Sequence, residues 1–188
     1  MMSESVWNEQ IDKALMGFIQ SKISVNGKPL KVKVRRPDED FYNEDYPLAT
    51  IQNLFSKFSK ERYFPEPINL YRKDNEGTVV QEASALPYDM YYQIDFWATL
   101  QTDMNSIIKQ WFNAVGRCFN LSVQDESGNS RSSFVLPRND FQKSDLVAEG
   151  KRLFHNSSTY RIYTEIDENI QEEVPYVAYR PDVEVSGS

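Results

Sequence analysis

The chain is poor in the residues from which most catalytic and metal sites are built. Its 188 residues include one cysteine, Cys118, and one histidine, His155. A single thiol closes no intramolecular disulfide, so the fold needs no oxidising compartment. A single histidine rules out two-histidine metal motifs and leaves most histidine relays without material. Nothing in the sequence favours a Cys118–His155 couple, and beside Phe119 the thiol reads as buried and inert. The seven glycines are scattered, and no phosphate-cradling loop is present. Positive charge is also short. There are 21 Lys and Arg against 28 Asp and Glu, a net charge of −7, which argues against a general nucleic-acid binder. No apolar run approaches the roughly 18 residues of a membrane span. The first residues, MMSESVWNEQ, are polar and acidic where a secretory leader needs a basic start and an apolar run. The expectation is a soluble protein that folds in a cytoplasm and has no membrane partner.

What the chain does have is aromatic residues, eleven Tyr and eleven Phe, in a pattern that alternates between strand and helix. The stretch Pro87–Gly116 is the clearest case. Met90, Tyr92, Ile94, Phe96, Ala98 and Leu100 fall on one side of a strand over 88–100, and Tyr91, Gln93, Asp95, Trp97, Thr99 and Gln101 on the other. Helical spacing follows over 103–115, with Met104, Ile107, Ile108, Trp111 and Val115 on one stripe and Thr102 as the cap. The strand is about twice the common length and is expected to run beyond its sheet as part of a hairpin arm. Its first row is expected to pack under Ile107, Ile108 and Trp111.

Elsewhere, Trp7, Ile11, Ala14, Leu15 and Phe18 predict a helix over 5–20, capped by Ser3 or Ser5. Asn26-Gly27 is a strong hairpin signal, because a type I′ turn needs positive φ at both residues. Ile23 and Val25 lead into that hairpin, and Leu30, Val32 and Val34 alternate along its second arm. Residues 35–47 read as a polar loop and 48–55 as a strand in preference to a short helix. Short strands are predicted at 68–72 and 78–84 around a turn at 73–77. A hairpin is predicted from 119–124 and 132–136, and another pair from 151–155 and 159–166 around Asn156-Ser157-Ser158. The sum is an α+β domain over 1–166, with a mostly antiparallel sheet, two flanking helices and long β-hairpin arms. Residues 167–188 read as a C-terminal extension that adds an edge strand and frays at its end.

No set of residues stands out as catalytic, and no metal or cofactor is called for. Asp38-Glu39-Asp40 with Glu44-Asp45 gathers carboxylates in one loop but lacks the spacing and glycine of a calcium loop, so a solvated loop is the better reading. Nothing singles out a carboxylate pair for hydrolysis. Lys31, Lys33 and Arg35 alternate with Leu30, Val32 and Val34, and Arg36 follows. Such a basic strand face is ordinarily solvated. Its functional reading is a face that docks on the acidic surface of a neighbouring subunit, for which Glu165, Asp167 and Glu168 in the run 165–173 are the natural counterpart. Tyr91 and Trp97 lie either under loops or at a subunit contact, since Tyr and Trp favour interface cores. The candidate subunit-interface residues are therefore Lys31, Lys33, Arg35, Arg36, Tyr91, Trp97, Glu165, Asp167 and Glu168.

Val34-Arg35-Arg36-Pro37-Asp38-Glu39-Asp40, then Tyr46-Pro47, then Leu86-Pro87-Tyr88-Asp89-Met90-Tyr91-Tyr92-Gln93-Ile94-Asp95-Phe96-Trp97-Ala98 resemble small structural proteins of tailed bacteriophages. The pattern is similar to tail terminator or tail completion proteins of the neck, above all in contractile-tailed phages, and covers residues 30–116. The resemblance implies a virion protein of the tail and neck, assembled in the host cytoplasm. It implies a homo-oligomer, a hexameric ring on the last ring of tail tube protein, that ends tube growth and meets the head–tail connector or other neck proteins. It implies no enzymatic activity and no sequence-specific contact with nucleic acid. Another neck or baseplate adaptor protein is the alternative, and a hydrolase that uses acidic residues a more distant one. The region 119–166 takes no part in the resemblance.

Overall fold

In chain order the elements are α1 (Glu4–Lys22), β1 (Ser24–Val25), β2 (Lys28–Pro29), β3 (Lys31–Val34), β4 (Leu48–Phe58), β5 (Arg72–Lys73), β6 (Val79–Glu82), β7 (Leu86–Ala98), α2 (Gln101–Val115), β8 (Phe119–Gln124), β9 (Ser130–Pro137), β10 (Gln142–Ala148), β11 (Lys151–Ile166) and β12 (Gln171–Val174). They belong to a computed structural model that describes residues 4–35, 44–63, 72–73, 79–82, 86–124, 130–139, 141–148, 151–166 and 171–174. Seven strands form the main sheet, in the order β3-β4-β7-β11-β9-β8, with β10 beside the first half of β11. Every described pairing is antiparallel except β3 with β4. The fold is α+β, as the sequence predicts. Among the described residues no helix is long and apolar enough to cross a membrane.

Alternation decides which face of the sheet is covered. Met90, Tyr92, Ile94, Phe96 and Ala98 point to the helix side and are buried there with Ala49 and Ile51 of β4 and Tyr160 and Ile162 of β11. From α1 they meet Ile11, Leu15 and Ile19, and from α2 Met104, Ile107, Trp111 and Val115, with Ala14, Phe18 and Ile108 at the margin. Ile19, which continues the stripe of Ile11 and Leu15 by one more turn, belongs to the core although the predicted stripe omits it. Trp111 is the centre of this layer. Its ring meets Phe18, Phe96, Phe119 and Tyr160 at centroid distances of 6.2, 5.4, 5.9 and 5.7 Å, and its Nε1–H donates to the Tyr160 hydroxyl at 2.7 Å.

Several expectations need correction. Asn26 and Gly27 have φ of 53° and 75°, as a type I′ turn requires. The hairpin they close is only two residues deep, however: Leu30 N–H still donates to the Ile23 carbonyl at 3.0 Å, but Ile23 N–H is committed to Ile19 at the end of α1 and cannot carry the ladder further. β3 is therefore not a hairpin arm; it runs parallel to β4, with Lys31 beside Leu48 and Val34 beside Ile51. β7 is not an arm either. It lies in the middle of the sheet, between β4 and β11. The predicted pair 151–155 and 159–166 is one strand, β11: Asn156, Ser157 and Ser158 lie opposite Phe96, Asp95 and Ile94 instead of turning. Its antiparallel partner at 151–157 is β10, whose sequence QKSDLVA carries no alternation to betray it. Leu100, not Thr102, occupies the N-cap of α2, and no side chain caps it. Cys118 is exposed in the turn before β8, where Phe119 takes the inward position. Gln171–Val174 pairs with β6 in a small sheet of order β12-β6-β5.

Replacement of Trp111 by Phe should cost about 1–2 kcal/mol, since it leaves the buried Tyr160 hydroxyl without its donor. In a double-mutant cycle with Tyr160→Phe, urea unfolding should show a coupling of about 1 kcal/mol. Additive losses would show that the hydrogen bond contributes nothing.

Candidate functional site

The helices cover one face of the sheet, and the polar and aromatic alternate row lies on the other. β7 contributes Asp89, Tyr91, Gln93, Asp95 and Trp97. Register places Leu48, Thr50, Gln52, Phe55 and Lys57 of β4 beside them on one side, and Tyr163, Arg161, Thr159, Ser157 and His155 of β11 on the other. A register shift between Asn53 and Phe55 keeps Phe55 and Lys57 on this face. Two carboxylates, Asp89 and Asp95, are buried here within the sheet. A buried charge must be matched by partners, and each aspartate has its own set.

Asp95 is held by neutral groups and by the lone histidine. Gln93 Nε2 donates to both its oxygens at 2.9 and 3.0 Å, and His155 Nε2 lies 3.0 Å from Oδ1. The Thr50 hydroxyl donates to Oδ2 at 3.4 Å and accepts from Trp97 Nε1 at 3.2 Å. Arg35 Nη1 is 3.9 Å from Oδ2. Burial pushes the Asp95 carboxyl up, but hydrogen bonds from His155, Ser157 and Gln93 outweigh it and hold the group below its ordinary range. An ionised carboxylate only accepts, so the proton lies on Nε2 of His155, and in the neutral ring Nδ1 accepts from Ser144 Oγ at 2.7 Å. Ser144, His155 and Asp95 thus stand in line, but with the ring nitrogens in the reverse order of a serine-hydrolase triad, in which Nε2 faces the hydroxyl. The imidazole is also stacked on Trp97 at 3.9 Å, with 14° between the planes. Fixed on three sides, it braces β10, β11 and β7.

Asp89 lies between two guanidinium groups. Arg62 Nη2 donates to Oδ1 at 3.0 Å and Arg161 Nη2 to Oδ2 at 2.6 Å. Arg62 comes from the turn after β4 and also donates to the carbonyls of Tyr88 and Thr164, at 2.7 and 3.3 Å. Burial works against the charge on Arg161, but the bond to Asp89 outweighs it and raises the pKa of the guanidinium. Both guanidinium carbons lie over the Tyr163 ring, at 5.0 and 4.6 Å. Between the two aspartates, Tyr91 stacks on Phe55 at 4.3 Å, with Lys57 Nζ 5.6 Å and Arg138 Cζ 5.3 Å from its ring.

The residues expected at a subunit contact are therefore distributed as follows. Tyr91 and Trp97 lie on the helix-free face but are 4% and 6% exposed, covered by side chains of their own chain. Lys31 and Lys33 both pair with Glu44, and hydrogen bonds from Lys33 and Lys31 lower that carboxyl. Lys31 also lies 3.8 Å from Asp45. Glu165 is exposed at the end of β11. Arg36, Asp167, Glu168 and the carboxylates of 38–40 lie outside the described residues. Sequence reasoning missed Asp89, Asp95, Arg62, Arg161 and His155. The available signal was two carboxylates in the outer row of a strand aromatic on both sides, but their partners stand 27, 60 and 72 residues away. Among the described residues no group of three or more His, Cys, Asp or Glu is placed to hold a metal ion. A cleft of about 630 Å³ opens on the other side of the molecule between α1 and β8, where Lys13 is the one charged side chain among the described residues of its lining.

No protein-family profile matches the chain, and no curated protein does. Its fold does match solved structures. One is the sheath/tube terminator of an extracellular contractile injection system (PVC), determined by cryo-electron microscopy in the extended state, with a TM-score of 0.50 and 14% identity. The likeness covers 96% of this chain and 64% of that one, so the chain spans just under two thirds of the length of its neighbour. At this identity the likeness is one of fold. It extends over the region 119–166, which the sequence motifs left without a counterpart.

Asp95→Asn should lower stability at neutral pH by about 2–3 kcal/mol, since it leaves buried donors facing an amide. The sign with pH follows from the depressed carboxyl. Its contribution is complete above the unfolded value of about 3.9 and is lost as pH falls through the folded value. Urea unfolding from pH 7 down to pH 3 should show a shallower acid decline for the variant; parallel curves would show that Asp95 is not the group lost.

Proposed function

We propose that the protein is a structural subunit of a contractile tail, a terminator that forms a ring on the end of the tail tube and presents a surface to the head-side connector or neck. The observation that carries this reading is the fold, shared over 96% of the chain with a sheath/tube terminator. The motifs around Arg35–Asp40 and Pro87–Ala98 point the same way. On this reading the partners are further copies of the chain, six to the ring, together with tail tube and neck proteins, and the protein's place is the virion. Its work is assembly and not catalysis. Lys31, Lys33, Arg35, Arg36, Tyr91, Trp97, Glu165, Asp167 and Glu168 form the interface set on this reading, with Tyr91 and Trp97 acting through the side chains that cover them. The Ser144–His155–Asp95 line does not favour a hydrolase, because its ring nitrogens stand in the reverse order of a serine-hydrolase triad.

Negative-stain microscopy of the purified protein, alone and mixed with isolated tail tubes, tests the proposal. The expected result is rings of six subunits and caps on tube ends. Protein that neither forms rings nor binds tubes would overturn it.

A further inference from the structure

The small sheet resumes the ladder of the main one. Ile166 of β11 lies opposite Leu86 of β7. Five residues further along the chain, Gln171 of β12 lies opposite Glu82 of β6, four residues before Leu86. One extra residue on the β11 side is the offset of a β-bulge. β6 stands between β12 and β5 as β7 stands between β11 and β4. The three central strands thus run on as a three-stranded extension, in which β3, β8, β9 and β10 take no part. Among the described residues nothing pairs with the outer edge of β12 or of β5. An open edge offers its unpaired N–H and C=O groups to another strand.

The two edges carry opposite charge. β12 is Gln171-Glu172-Glu173-Val174, and β5 is Arg72-Lys73. The residues of β6 opposite these two acids and two bases are Gln81, Val80 and Val79, so no directly opposed residue of the sheet matches their charge. Consecutive strand residues belong to opposite faces, so each edge sets one charged residue on either face.

We propose that the acidic edge β12 of one copy of this chain pairs with the basic edge β5 of the next, joining the small sheets of neighbouring copies. A second copy is the occupant because the chain itself supplies both halves of the contact. Two acidic edges side by side would set like charges opposite each other, and two basic edges likewise, so each edge is barred from its own kind. The unlike pairing is head-to-tail, and a head-to-tail contact generates rings when its rotation closes. The inference rests on the assembly reading and names one contact between the subunits of that assembly.

Charge reversal of each edge, read by sedimentation velocity over a range of concentrations, tests it. Glu172→Lys with Glu173→Lys makes both edges basic; Arg72→Glu with Lys73→Glu makes both acidic. The wild type should self-associate. Each reversed protein alone should show a dissociation constant at least about tenfold higher. An equimolar mixture of the two should associate as the wild type does, because every contact in an alternating assembly is again between unlike edges. A second measurement uses Arg72→Cys with Glu173→Cys, in a Cys118→Ser background. Both positions lie level with Val80, on opposite sides of it. Two strand spacings, about 10 Å, separate them within one chain, beyond the roughly 7 Å that a disulfide spans. Oxidation should therefore give disulfide-linked oligomers. A wild type that stays monomeric, reversed proteins that associate unchanged, a mixture of folded variants that stays apart, or an oxidised protein that runs only as monomer would overturn the proposal. Reversed proteins that still form rings and cap tail tubes would sink the edge contact and leave the terminator reading standing. Edge-dependent association without tube binding would do the reverse.

Discussion

Strand β7 is paired on both edges along almost its whole length, and both of its side-chain rows are buried. An antiparallel strand more often has one wet face. Here the inner row meets helices and the outer row meets the long side chains of β4 and β11. That constraint dictates the chemistry of the outer face. Asp89 and Asp95 cannot be solvated, so the chain must bring them donors. It does so from the turn after β4, from β11 and from β4 itself. The same requirement fixes register. A slip of one residue would turn both carboxylates toward Trp111 and the helix stripes.

The two faces are held together by different physics. On the helix side the stabilisation is apolar burial around Trp111, with one internal hydrogen bond to Tyr160. On the other side it is electrostatic and directional, built from charge-assisted hydrogen bonds and from rings stacked on rings or on cations. The cations are drawn to this face although the chain as a whole is acidic. Two of them are tied to Glu44, just before β4, and two to Asp89.

Periodicity made the inner half legible. Met90 through Ala98, Ile107, Trp111, Ile11 and Leu15 are all where alternation and helical spacing place them. It failed where a strand does not alternate in hydropathy. β10 is polar throughout its first half, and Asn156-Ser157-Ser158 has turn composition yet continues β11, because Asn156 and Ser158 are buried beside Phe96 and Ile94. The first hairpin stops where α1 claims the Ile23 N–H, and Lys31–Val34 then joins β4 in parallel, a long-range pairing that no local pattern announces. The site was less legible than the fold. Tyr91, Trp97, Lys31 and Lys33 were singled out, but Arg62 and Arg161 look like any polar-segment or strand arginine until topology brings them to Asp89.

At 14% identity, a shared fold leaves most side chains different. The chemistry of the outer face must therefore be read from this chain's own residues. The outer face divides on that basis. Around Asp95 the hydrogen bonds run from Trp97 through Thr50 to the carboxylate, and from the carboxylate through His155 to Ser144, so this half is complete within one chain. Around Asp89 the guanidinium groups are over-supplied, two donors are unmatched, and the neighbouring rings of Phe55 and Phe134 are open. A folded chain tolerates such an imbalance at low cost only where something else resolves it. The incomplete half of the face, not the aromatic row beneath it, is thus where the chain's own groups leave charge and donors unmatched.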